Sequence, residues 1–209
     1  YKRELLQACY NGSSEMVSQL SMAVVTVLFN IVLMRIAGEH GVAAITILLY
    51  GQFLFNSFYL GFSIGVAPIV GFQYGARNKV LLRRVYRISF LFVIASSICL
   101  LGASEALSRP LITIFTHDAE TFPLALTGFR LFAFCFLFSG VNITSSGFFT
   151  ALSNGRVSAI LSFCRTFVFT AACLLVLPHF LGINGAWIAV PAAEALTLLI
   201  SLYMHQKYF

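Results

Sequence analysis

The chain has 209 residues, 59% of them apolar and only 10% charged, and its mean hydropathy is +0.91. Water-soluble domains sit near about 45–50% apolar and about 25% charged, and a fold of this size lacks the interior to hide so much apolar surface. Lipid is the remaining solvent. A net charge of +6 points to nucleic acid only when it forms a water-facing patch; these basic residues punctuate apolar runs, so no nucleic-acid partner is expected.

A helix needs about 20 mostly apolar residues to cross the hydrocarbon. Six runs meet that length, at about residues 14–35, 41–72, 86–105, 121–152, 157–178 and 183–205. The predicted fold class is therefore an all-α integral membrane protein with six transmembrane helices in a single lobe. A β-barrel is excluded, because its strands alternate over segments of about ten residues and these runs are continuous.

The first span begins after Tyr1–Tyr10, a stretch mixing charge and leucine that fits a short interfacial helix. Ser13 and Ser14 precede Glu15 as an N-cap would, which makes Glu15 a complement to a helix N-terminus. Glu15, Gln19, Thr26 and Asn30 also share one helical face, and a membrane helix must turn such a face to protein or to a wet cavity. Both readings of Glu15 stand.

The second span is longer than one straight crossing. Gln52, Asn56, Tyr59 and Ser63 share one of its faces, Gly61 and Gly65 form a close-packing pair, and Pro68 marks a kink or unwound turn. The fourth span carries Ser139, Asn142 and Ser146 on one face. Interhelical hydrogen bonds alone explain any one stripe; three stripes on three helices point to a polar interior path. Arg130, near the far end of the fourth span, snorkels to the interface.

The fifth and sixth spans hold Arg165 and Glu194. An ionisable group at membrane depth costs about 2.5–3.5 kcal/mol on insertion scales, so each requires a reason. Arg165 lies nine residues past Arg156, and Glu194 lies eleven before His205. At 1.5 Å per residue both sit roughly 13–17 Å from the same membrane face. They are expected to pair, as a neutralising clamp between adjacent helices or as a charge relay.

Lys2, Arg3, Arg77, Lys79, Arg83, Arg84, Arg87, Arg156 and Lys207 fall on one side of the spans, against Arg35 and Arg109 on the other. The positive-inside rule makes the richer side cytoplasmic, both ends included. Cys9, Cys99, Cys135, Cys164 and Cys173 are odd in number and lack a C-x-x-C pair; they read as small hydrophobes, without a disulfide frame or metal site. Gly61-Phe62-Ser63-Ile64-Gly65 matches the nucleophile-elbow pattern but lies inside a helical run, away from the strand-turn-helix setting that chemistry needs. No phosphate loop, dinucleotide fingerprint or zinc-protease motif occurs, so no enzymatic activity and no cofactor is expected. The chain starts at Tyr1, which suggests a piece of something longer.

Four segments resemble the multidrug and toxic compound extrusion (MATE) family of transporters. They are Gly61-Phe62-Ser63-Ile64-Gly65-Val66-Ala67-Pro68, Gln73-Tyr74-Gly75-Ala76, Leu152-Ser153-Asn154-Gly155-Arg156, and the opening of the last span from Gly182 through Trp187 and Pro191 to Glu194. The match is to the C-terminal half of a bacterial member and covers nearly the whole chain. It implies a two-lobe (6+6) transporter in the bacterial cytoplasmic membrane. The partners are then the lipid bilayer and an N-terminal six-helix lobe of the same chain, absent here. Drugs or other organic cations would leave in exchange for Na⁺ or H⁺, along a path lined by the first, second and fourth helices of this lobe. A lipid-linked oligosaccharide or lipid flippase of the same superfamily is the alternative. Some family members carry carboxylates midway along the first and in the fourth helix of this lobe. Here Glu15 lies nearer the helix start, and 121–152 has neither Asp nor Glu.

Overall fold

A computed structural model describes the backbone of residues 2–208, and its side chains except those of Arg3, Ala8, residues 10–15, Ser18 and Tyr208. The described residues are almost all helical. The elements are α1 (Lys2–Gly75), α2 (Lys79–Phe115), α3 (Thr121–Ala133), α4 (Phe136–Ala151), α5 (Gly155–Phe163), a π-helical turn (Cys164–Phe169), α6 (Thr170–Leu181) and α7 (Ile183–Tyr208).

Helix α1 is two rods joined by a corner. Its apolar part, Gln19–Gly75, has 57 residues, about 85 Å of helix against a hydrocarbon core of about 30 Å. The corner is Gly38, with φ 60° and ψ −148°, a conformation open to glycine and strained for other residues. Three further single helices are long and apolar enough to cross: Lys79–Phe115, Gly155–Leu181 and Ile183–Lys207. Helices α3 and α4 complete a crossing together, bent by 53°. With the two arms of α1 this makes six crossings.

Three departures from the sequence-based expectation concern α1. The chain is helical from Lys2 onward, so residues 2–10 run into the first span and form no separate interfacial helix. No helix begins at Ser13, which removes the capping role expected of Glu15. Pro68 sits inside the helix without breaking it. Its ring is exposed, and the break falls at Gly38 instead.

The turns after α1 and α4 are built alike. Arg77 (φ 56°) and Ser153 (φ 58°) take the left-handed conformation, and the next residue, Asn78 or Asn154, donates its N–H back to Gln73 or Phe149 at 3.0 and 2.8 Å. That is the six-to-one closure of a helix C-terminus. The same asparagines then cap the following helix, Asn78 Oδ1 accepting from Leu81 N (3.1 Å) and Asn154 Oδ1 from Val157 N (3.5 Å).

At the opposite end Asp118 accepts from Thr121 N (2.8 Å) and Thr121 Oγ1 (2.7 Å). His40, two residues past the corner, reaches Asp118 at 3.2 Å and Glu120 at 3.1 Å. Thr121's two hydrogen bonds, ahead of the His40 charge, hold the Asp118 carboxyl below its ordinary value.

The core runs along the bundle in three layers. The largest, toward Gly38, gathers Phe29, Leu33, Leu48, Phe129, Phe132, Phe136 and Trp187, all fully buried. A middle layer centres on Tyr59, Val93 and Val141, and a third on Phe149, Val157 and Leu161. Outside them the surface is apolar: Phe72, Val80, Ile114 and Phe180 are 72–81% exposed, untenable in water and ordinary against lipid. Helix approach depends on two glycines of α4. A Cβ at Gly140 would lie 2.5 Å from Tyr59 Cε1, and one at Gly147 would collide with Ser63 Oγ. A Cβ at Gly61 or Gly65 would meet nothing within 4 Å among the described residues.

The α3–α4 bend interrupts the helical ladder. Tight turn bonds, Cys135 N to Phe132 O and Phe138 N to Cys135 O, replace the regular ladder around Cys135. At the start of α4 the buried Phe136 carbonyl accepts from the Tyr59 hydroxyl at 2.9 Å, and Ser97 Oγ completes that hydroxyl's partners at 3.0 Å. In lipid such a carbonyl has no water to turn to.

Candidate functional site

A cavity of about 790 Å³ opens between the two arms of α1, α4, and the α5–π segment. Of the polar residues predicted to line a path, Gln19, Thr26, Gln52, Asn56, Ser63 and Ser146 are on its wall. Helical spacing explains this, since each set recurs at three, four or seven residues and so keeps to one face.

Four of the remaining predicted residues lie off this wall. Asn30 is a turn past Thr26, where Phe29 and Leu33 fill the core, and is half-buried off the lining. Tyr59 is fully buried and committed to the α3–α4 bend. Pro68 faces outward. Asn142 is buried behind α4, where its Nδ2 donates to the Glu194 backbone carbonyl (2.9 Å) and to Glu194 Oε2 (2.7 Å) while its Oδ1 accepts from Ser201 (3.0 Å). The side chain of Glu15 lies outside the described residues.

Arg165 and Glu194 meet, with Nη1 3.3 Å from Oε1 and side chains 18% and 5% exposed. Arg165 also lines the cavity, together with Ser162 and Thr166 of the same segment. The sequence reading placed Arg165 in the pair and left the fifth span out of the path. Ser158, Ser162 and Thr166, spaced by four, are a stripe that would have found it. The π-turn aims Arg165, and its carbonyl, displaced from the α ladder, accepts from Thr170 Oγ1 at 2.8 Å. Tyr50 and Phe53 add aromatic faces to the wall.

The wall's hydrogen-bonding sense is uneven. Thr26, Thr46, Ser57 and Thr166 each donate to the backbone carbonyl four residues before, at 2.7–2.8 Å. Their hydroxyls thus turn acceptor lone pairs to the cavity. Asn56 Oδ1 accepts from Ser139 Oγ at 3.1 Å. Arg165 is the single charged side chain among the described lining residues. No cluster of three metal-ligating side chains occurs among the described residues.

A polytopic helical bundle, broken at a glycine corner and bent beside an amphipathic cavity, has the fold of one lobe of a membrane transporter. The sequence model of the MatE family matches residues 16–175, and the chain belongs to that family. No curated protein matches the chain significantly. Solved structures do match. An outward-facing multidrug resistance MATE family transporter of the MOP superfamily is 22% identical with a TM-score of 0.90, over 98% of this chain and 47% of that one. A MOP superfamily transporter from Pyrococcus furiosus, described as having a binding pocket of reversed polarity, is 20% identical at 0.90 over 98% and 47%. A point mutant of the Vibrio cholerae MATE transporter VcmN is 21% identical at 0.87 over 95% and 45%. The chain spans about half the length of these structures.

Proposed function

We propose that this lobe belongs to a secondary active antiporter that exports drugs or other organic cations across the bacterial cytoplasmic membrane in exchange for Na⁺ or H⁺. An N-terminal six-helix lobe of the same protein completes the central cavity, and both ends of this lobe face the cytoplasm. Rocking of the lobes exposes the cavity to each side in turn, and ion binding biases one state. The observation that carries the proposal is the cavity: about 790 Å³, in the range of drug-sized sites, with aromatic faces and acceptor hydroxyls on its wall. Both features suit a diffuse organic cation bearing N–H donors. The orientation rests on the basic residues at the Asn78 and Asn154 turns.

A carboxylate is the natural coupling group. Glu194 already serves Arg165 and Asn142, so coupling falls to Glu15 or to the other lobe. Ser63 sits inside α1 against Gly147, and the mechanism gives it no nucleophilic role.

One observation favours the flippase alternative: Arg165 is the sole charged group on the described wall, and a lipid-linked cargo carries phosphate. A single guanidinium is thin cover for a pyrophosphate, so export of small molecules stands first. Efflux of ethidium from bacteria expressing the full-length transporter separates the two, run with a proton ionophore or with Na⁺ replaced. Gradient-dependent efflux supports the antiporter. Retention of the dye despite good membrane expression supports the flippase.

A further inference from the structure

We propose that Arg165 is the docking point for an anionic group, a carboxylate in the first instance, on a cargo whose cationic end rests against the aromatic and acceptor-rich part of the same cavity. The inference rests on the export function above and specifies its substrate class: zwitterions over simple cations of the same skeleton.

A guanidinium has five N–H donors in a planar fork. Here one contact, Nη1 to Glu194 Oε1 at 3.3 Å, is its ion pair, longer than the about 2.7–2.9 Å of a tight charged hydrogen bond. The Nε–H is buried and finds no acceptor, a costly state for a polar group away from water. The side chain nevertheless forms part of the cavity wall. Glu194 does not depend on Arg165 alone, because Asn142 holds its second oxygen at 2.7 Å. Arg165 can therefore keep Glu194 and share its remaining N–H donors with a carboxylate in the cavity. The distribution of donors and acceptors gives the cargo its polarity. Thr26, Thr46 and Ser57 of α1 offer lone pairs, whereas Arg165, on the π-turn, offers N–H groups and positive charge.

Rhodamine 110 and rhodamine 123 test this directly, because they share a cationic ring system and differ in a free carboxylic acid against its methyl ester. Binding of each dye to the purified full-length transporter in nanodiscs is read by fluorescence polarisation. The wild type should bind rhodamine 110 at least about tenfold more tightly, equivalent to about 1.4 kcal/mol. Arg165→Gln alone strands the Glu194 charge and can fail to fold. The paired variant Arg165→Gln/Glu194→Gln removes both charges, keeps the volume, and should bind the two dyes equally. Equal affinities in the wild type, or an undiminished preference in the paired variant, overturn the carboxylate site and leave the export function standing. Failure of both dyes to bind the wild type overturns the two together.

Discussion

Arg165 and Glu194 lie on neighbouring crossings and meet at 3.3 Å, the arginine at the edge of a cavity and the glutamate 5% exposed behind it. The contact joins the π-turn to α7, and Asn142 of α4 ties the same carboxylate to a third crossing. Two of the segments that frame the cavity, α4 and the π-turn, are thus tied to α7 by one polar knot.

Removing one charge from that knot leaves the other buried and unpaired. Glu194→Gln alone should cost about 3 kcal/mol of stability, seen as a lower thermal midpoint of the full-length protein in detergent. Arg165→Gln/Glu194→Gln should recover most of the loss. Additive damage in the double variant would show that the two side chains act independently.

The contact of α1 with α4 turns on Gly147, whose missing Cβ makes room for Ser63 Oγ. Gly147→Ala should destabilise by about 1–3 kcal/mol through overpacking. Adding Ser63→Ala removes the obstructing oxygen and should restore stability. If the first substitution is neutral, the two helices are not in close contact there.

The clasp at the Gly38 end carries a pH signature. Asp118 is depressed by the Thr121 hydrogen bonds and then by His40, so its contribution is present above the ordinary carboxylate range and lost as pH falls through the lower native value. The difference in thermal midpoint between wild type and Asp118→Asn should therefore be largest near neutral pH and close at strongly acidic pH. A difference independent of pH would mean that charge at Asp118 plays no part.

Cavity-facing and buried positions should separate by chemistry. With the natural cysteines replaced, Gln52→Cys and Thr166→Cys should react with a water-soluble maleimide, and bound ethidium should slow the reaction. Thr197→Cys, at a position 1% exposed whose hydroxyl donates to Ala193 O, should stay unlabelled. Equal labelling at all three sites would remove the cavity from the account.

Much of this was legible in the sequence because a membrane simplifies the code. Continuous apolar runs mark crossings, and two ionisable residues at matched depth have few partners but each other. Helical periodicity places Gln52, Asn56 and Ser63 on one face without saying how far along it the cavity extends. Core packing ends it before Asn30 and turns Tyr59 and Asn142 to backbone and side-chain partners on other helices. Pro68 suggests a kink or unwound turn because proline disrupts helices in general, yet α1 stays helical there. The corner is at Gly38, where the chain must reverse and a left-handed φ is required. The π-turn that presents Arg165 has no signature in residue spacing, since one extra residue per turn is a product of packing.

In the proposed function an ion gradient drives organic molecules through this cavity. The most direct test is ethidium movement in proteoliposomes holding the purified full-length transporter, with a Na⁺ or proton gradient imposed and then collapsed. Accumulation is expected while one of the gradients stands, and its loss on collapse. Dye flux that is the same with and without either gradient would contradict it.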